Sequence, residues 1–157
     1  MAFSGNFMTT SFKTELLKGC HDFTPNSSQS GTGDTFKLAL YDNTPTFDAS
    51  TTTYTTSGEV GASGSYATGG GTLLNVTPVN SSTTAFTDFS DLTFTTATIT
   101  AYGAMIYNST PNTTSSSGLT NPAVAILYFG SAKTSTAGDF SIVFPAAAAS
   151  TAIIRIA

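Results

Sequence analysis

Residues 97 to 107 read Ala-Thr-Ile-Thr-Ala-Tyr-Gly-Ala-Met-Ile-Tyr, and apolar side chains fall on both parities of the run. Ile99, Ala101, Gly103, Met105 and Tyr107 share one parity, while Tyr102, Ala104 and Ile106 take the other. Successive side chains of an extended chain point to opposite faces, so this pattern predicts a strand covered on both sides.

The other apolar runs are short and end at turn residues. Residues 35 to 41 alternate, with Phe36, Leu38 and Leu40 on one face and Lys37, Ala39 and Tyr41 on the other. Further strand patterns occupy residues 73 to 79, 85 to 89, 92 to 94, 123 to 129, 140 to 144 and 152 to 156. One helix is expected over residues 10 to 20, where Thr9, Thr10 and Ser11 offer N-caps and Phe12, Leu16 and Cys20 recur at fourfold spacing. Lys13 and Glu15 lie off that stripe. Many short strands between Gly, Asn and Pro turns, with a single helix, predict a mainly β protein: an antiparallel β-sandwich with one short N-terminal helix.

A chain of 157 residues fits one domain. The division expected is an N-terminal arm over residues 1 to 8, followed by a single β-sandwich domain over residues 9 to 157. Residues 43 to 72 are rich in Ser, Thr and Gly with few apolar anchors, which predicts long surface loops and short edge strands. The expected core holds Phe36, Leu38, Leu40, Ile99, Ile126, Phe140, Ile142, Phe144 and Ile154.

Charge narrows the function classes. Only 9% of the chain is charged, and the formal net charge is -4. Phosphate binding needs clustered Lys and Arg, whereas the five basic residues here are scattered from Lys13 to Arg155, so no nucleic-acid partner is expected. No stretch reaches the roughly 18 apolar residues of a membrane span, and no secretory leader is apparent, so no membrane partner is expected and synthesis in a host cytoplasm is. Cys20 is the lone cysteine, so the chain can form no internal disulfide.

Groups with catalytic chemistry are sparse. Cys20, His21 and Asp22 place nucleophile, base and acid side by side, but neighbours in sequence do not face one another on a helix. The expected roles are structural, with Cys20 in the core and His21 and Asp22 ending the helix. Asp34, Asp42, Asp48, Asp88, Asp91 and Asp139 nearly all fall at predicted turns, where carboxylates are expected to cap backbone donors. Asp88 and Asp91 bracket one bend and could share a Ca²⁺ ion, but no dedicated calcium-loop spacing is present. Glutamate occurs only at Glu15 and Glu59, and there is no Trp to stack on a sugar. The chain is therefore expected to be no enzyme and to use no cofactor and no metal.

Two groups of residues carry a resemblance. Phe7, Met8, Ser11, Phe12, Lys13, Glu15, Leu16, Leu17 and Phe23, with the run Gly-Asp-Thr-Phe-Lys-Leu-Ala-Leu-Tyr over residues 33 to 41, form the first. Residues 97 to 101, 106 to 108, 129 to 130, 138 to 140 and 153 to 156 form the second. Together they resemble small virion structural proteins of tailed bacteriophages of aquatic bacteria. The resemblance implies a component of the virion, with a capsid decoration (cement) protein stabilising the head shell as the leading expectation. The alternatives are a tail, neck or fibre component, or a surface-binding β module. The partners then expected are the phage major capsid protein and the chain itself as a homotrimer. Expected subunit or shell contacts are Phe3, Phe7 and Met8 in the arm, with Tyr54 and Tyr66 in the long loop. A binding module would instead need its tyrosines, Tyr41, Tyr54, Tyr66, Tyr102, Tyr107 and Tyr128, to converge on one exposed platform.

Overall fold

A computed structural model describes residue 3 and residues 5–25, 33–111 and 118–157. Within them the chain is mainly β, with two antiparallel sheets and one short helix near the N-terminus.

The strands are β1 (Phe7–Met8), β2 (Phe36–Tyr41), β3 (Gly71–Thr72), β4 (Val79–Ser81), β5 (Thr84–Thr87), β6 (Leu92–Asn108), β7 (Ala123–Ile142) and β8 (Ile154–Ile156). The larger sheet has the order β1-β7-β6-β2-β3, and the smaller one β4-β5-β8. β6 and β7 form its spine, running antiparallel from the Leu92–Ile142 pair to the Tyr107–Ala123 pair. β2 lies on the other edge of β6, with Phe36 opposite Asn108 and Tyr41 opposite Gly103.

The double parity of residues 97 to 107 has its expected consequence. Phe36, Leu38, Leu40, Ala104 and Ile106 face one apolar cluster, which also takes Phe12, Phe23, Phe89, Phe140, Ile142, Phe144 and Ile154. Ala39, Tyr41, Met105, Tyr107 and Ile126 face a second cluster, closed by Phe3 and Phe47. All nine expected core residues are buried.

Several boundaries move. Residues 92 to 94 and 97 to 107 belong to one strand, and residues 123 to 129 and 140 to 142 to another. Each is broken in pattern by bulges, where Thr96 and Ala137 take positive φ and the register shifts. A bulge inserts residues without ending the strand, so parity alone reads one long element as two. Of the strand expected over residues 73 to 79, only Val79 is in one, as the first residue of β4. Leu73 is buried and Leu74 is 68% exposed, and regular pairing sits on either side in β3 and β4.

The helix, α1 (Thr10–Leu17), is shorter than the expected 10 to 20. Thr9 caps it, accepting from the Phe12 N–H, and Gly19 turns the chain out at φ 70°. Only glycine adopts that left-handed conformation at little cost.

The described residues of the expected arm, Phe3 and residues 5 to 8, lie against the sheet. β1 pairs with β7, and the Thr9 N–H and hydroxyl donate to the carbonyls of Val124 and Ala123. Phe3 bridges to Phe47 and lies buried over Gly103, where a Cβ would stand 2.6 Å from its ring. Residues 1, 2 and 4 of the expected arm lie outside the described residues.

Candidate functional site

Four of the six tyrosines, Tyr41, Tyr54, Tyr66 and Tyr107, do converge, but inward and around an acid. Residues 43 to 70 fold back over β2, and an isolated bridge sets Glu59 opposite Tyr41 while the Val60 N–H donates to the Leu40 carbonyl. Glu59 thereby reaches a cluster of phenols. Its Oε1 accepts from the Tyr66 hydroxyl at 2.8 Å and from the Gly69 N–H at 2.7 Å. Its Oε2 accepts from the Tyr54 hydroxyl. Around this centre Tyr54 stacks on Tyr107 with centroids 4.5 Å apart, Tyr107 donates to the Gly69 carbonyl, and Tyr41 donates to the Thr55 carbonyl. The Tyr66 oxygen in turn accepts from the Leu40 N–H of β2.

Burial, followed by the nearby Glu59 carboxylate, pushes the Tyr107 phenol up to about 12. The phenols of Tyr41, Tyr54 and Tyr66 are pushed up as well, with burial the largest cause in each. The cluster locks a hydroxyl-rich loop to the sheet through hydrogen bonds, with Phe47 and Val60 adding apolar contact.

Two of the expected contact residues are therefore corrected. Phe3 and Tyr66 are each 1% exposed and cannot meet another molecule without leaving the core. Phe7, Met8 and Tyr54 are half-buried and pack against the two clusters. Aromatic residues in a hydroxyl-rich segment read equally well as surface anchors or as pegs into the chain's own core, and sequence does not separate the two. Tyr128 stacks on Phe3 instead of joining the other phenols.

His21 also has a place the sequence reading missed. It lies beyond the end of α1, buried, with Nε2 at 2.8 Å from Glu15 Oε2 and Nδ1 at 3.0 Å from Asn108 Nδ2. The Asn108 amide is oriented by its other partners: its Oδ1 accepts from the Thr110 N–H, and its Nδ2 donates to Asp34 Oδ2 at 2.7 Å. In the neutral ring Nδ1 therefore accepts and the Nε2 proton goes to Glu15. Glu15 lies off the apolar stripe of the helix in sequence, yet this bond draws it in to 8% exposure. Cys20 is buried in the core as expected. The network ties α1 to the ends of β2 and β6. Replacing His21 with Ala should cost about 2 kcal/mol, since it strips a buried carboxylate of its partner. A urea midpoint unchanged from the parent chain would contradict this.

Most of the expected turn carboxylates behave as caps, whereas Asp139 lies within β7. Asp22, Asp42 and Asp48 each accept from the N–H and hydroxyl of the Thr or Ser two residues on. The Ser50 hydroxyl and N–H hold the Asp48 carboxyl below its usual value. Asp88 accepts from the N–H groups of Phe89 and Ile153, and Asp91 from that of Phe144. Burial raises the Asp88 carboxyl, with the Asp91 charge adding to it. Both acids thus anchor the segment leading to β8. Among the described residues no cluster of three His, Cys, Asp or Glu could hold a metal ion. Among them, too, no helix is long and apolar enough to cross a membrane.

Comparisons with protein-family models, with curated proteins and with solved structures found no match for this chain. What the chain does must be argued from its own surface. The outer face of the β6–β7 ribbon is exposed and carries hydroxyls in ranks, with Thr93 bonded to Ser141 at 2.8 Å and Thr100 to Thr134 at 3.2 Å. Thr95 and Thr98 stand exposed between them.

Proposed function

We propose that the chain is a structural component of a tailed-phage particle, a decoration protein seated on the outside of the head shell, as the resemblance of its sequence implies. The observation that carries this reading is the ordered hydroxyl face of β6 and β7. Paired Thr and Ser side chains are neutral and already fixed in position, so pressing them against another protein costs little desolvation when hydroxyls find partners there. The loop locked through Glu59 supports the same reading, because a clamp must hold its shape against the surface it grips.

The test is to locate the chain on intact particles. Gold-labelled antibodies raised against the purified protein should decorate heads in electron micrographs. Label confined to tails or necks would transfer the chain to the alternative virion role. Particles bare of label, with the protein on the bacterial surface instead, would end the virion reading.

A further inference from the structure

Just ahead of β7 the backbone takes a conformation that its sequence disfavours. A residue that precedes proline is pushed towards extended backbone by the pyrrolidine ring, yet Asn121, before Pro122, holds a positive φ of 47°. Such a residue stores strain that its surroundings must hold in place. The hold falls on the carbonyl of the bond that joins the two residues. The Asn121 carbonyl oxygen accepts from the Tyr54 N–H at 2.9 Å and from the Thr53 hydroxyl at 3.2 Å, which also donates to the Thr120 carbonyl at 2.8 Å. Pro122 is buried, while Asn121 is half-buried and its side-chain amide is engaged by none of the described residues.

We propose that the peptide bond between Asn121 and Pro122 is a self-cleavage site. The Asn121 side-chain nitrogen attacks the backbone carbonyl carbon of the same residue and closes a cyclic imide. Both groups belong to one residue, so rotation of its own side chain brings them together. As the new C–N bond forms, negative charge develops on the carbonyl oxygen, where the Tyr54 N–H and the Thr53 hydroxyl already stand as donors. The tetrahedral centre then collapses. The bond to the Pro122 nitrogen breaks, its electron pair stays with that nitrogen, and the proton lost by the side-chain amide ends there. One product ends in the imide of Asn121 and the other begins with the amine of Pro122; no water and no co-reactant enter. The usual fate of asparagine, attack of the next residue's backbone nitrogen on the side chain, is closed here because Pro122 has no N–H. The two pieces stay together, since β7 remains paired with β6 and β1.

This inference goes beyond the virion reading and is tested on the free, full-length protein, so either can fail alone. Purified protein kept at neutral pH and physiological temperature should split over days into residues 1 to 121 and 122 to 157. Mass spectrometry should find the larger piece, when first formed, lighter by one water than the product of a protease. Asn121→Ala should abolish the split. Thr53→Val, at an exposed position, should slow it on the order of tenfold, because one of the two carbonyl donors is lost. Denaturant, which removes both donors and the strain, should slow cleavage of the parent chain at least as much. Pro122→Ala should exchange cleavage for deamidation at Asn121. A chain that stays whole, a split that survives Asn121→Ala, or unfolded protein cleaving as fast as folded would overturn the proposal.

Discussion

Replacing Glu59 with Ala is expected to destabilise the protein by about 4 kcal/mol, because hydrogen bonds to a charged acceptor are worth roughly 1.5 to 3 kcal/mol each and three are lost together. The Tyr66 hydroxyl and the Gly69 N–H would lose an acceptor that folding provides, while the more exposed Tyr54 hydroxyl would turn to water. Chemical denaturation measures the loss, and a change under about 1 kcal/mol would mean that the loop is held by its apolar pegs alone. The same cluster sets the alkaline limit of the fold. In the unfolded chain the phenols ionise near their ordinary value of about 10. In the folded chain those of Tyr41, Tyr54, Tyr66 and Tyr107 are all raised. Above pH 10, then, the unfolded state binds fewer protons than the folded one, and stability falls as pH rises. The loss continues until pH passes the folded values, of which that of Tyr107 is about 12. Each well-buried tyrosine adds a slope of up to about 1.4 kcal/mol per pH unit, and the half-exposed Tyr54 less. Denaturation midpoints followed upward from about pH 9 should drop steeply past the ordinary tyrosine value. Phenolate absorbance should rise together with unfolding, and full ionisation of the tyrosines with the fold intact would refute the account.

Gly103→Ala is the second substitution with a large expected effect. Gly103 sits in β6 with Tyr41 opposite on β2 and Tyr128 opposite on β7. A Cβ there would lie 2.5 Å from the Leu127 carbonyl oxygen and 2.6 Å from the Phe3 ring. The carbonyl is backbone of the spine and cannot retreat without disturbing the β6–β7 ladder, whereas Phe3 can leave. The expected cost is about 3 kcal/mol, at the upper end of ordinary overpacking. Phe3 should come out of its pocket and lose its stacking on Tyr128. Phe3→Ala alone should cost a similar amount through the cavity it leaves. Because both changes act on one contact, the double variant should lose clearly less than the two single losses added together. Strict additivity would show that Gly103 and Phe3 do not meet.

Much of this architecture is legible in the chain because burial imposes a period. Phe36, Leu38 and Leu40 must share a face if they lie in a strand, and the apolar residues of both parities in residues 97 to 107 require two covering layers. Both covers exist. The helix cap at Thr9 and the turn roles of Asp42 and Asp48 are local events between near neighbours, so sequence spacing shows them too. Residues 130 to 139 lack an apolar pattern, and their place in β7 comes from pairing with β6.

The sequence by itself determined a mainly β chain, its early helix and its core residues, because these follow from side-chain periodicity and local capping. Only the tertiary structure decided which aromatic residues serve the interior. Phe3 and Tyr66 are pegs because Gly103 leaves room for one and Glu59 meets the other. Tyr107 and Gly69, whose carbonyl it meets, are 38 positions apart, and Thr93 and Ser141 are 48 apart. His21 and Asn108 are 87 apart. No local pattern records such pairs, since hydrogen bonds between distant residues depend on where the strands set the backbone and leave no period in the chain.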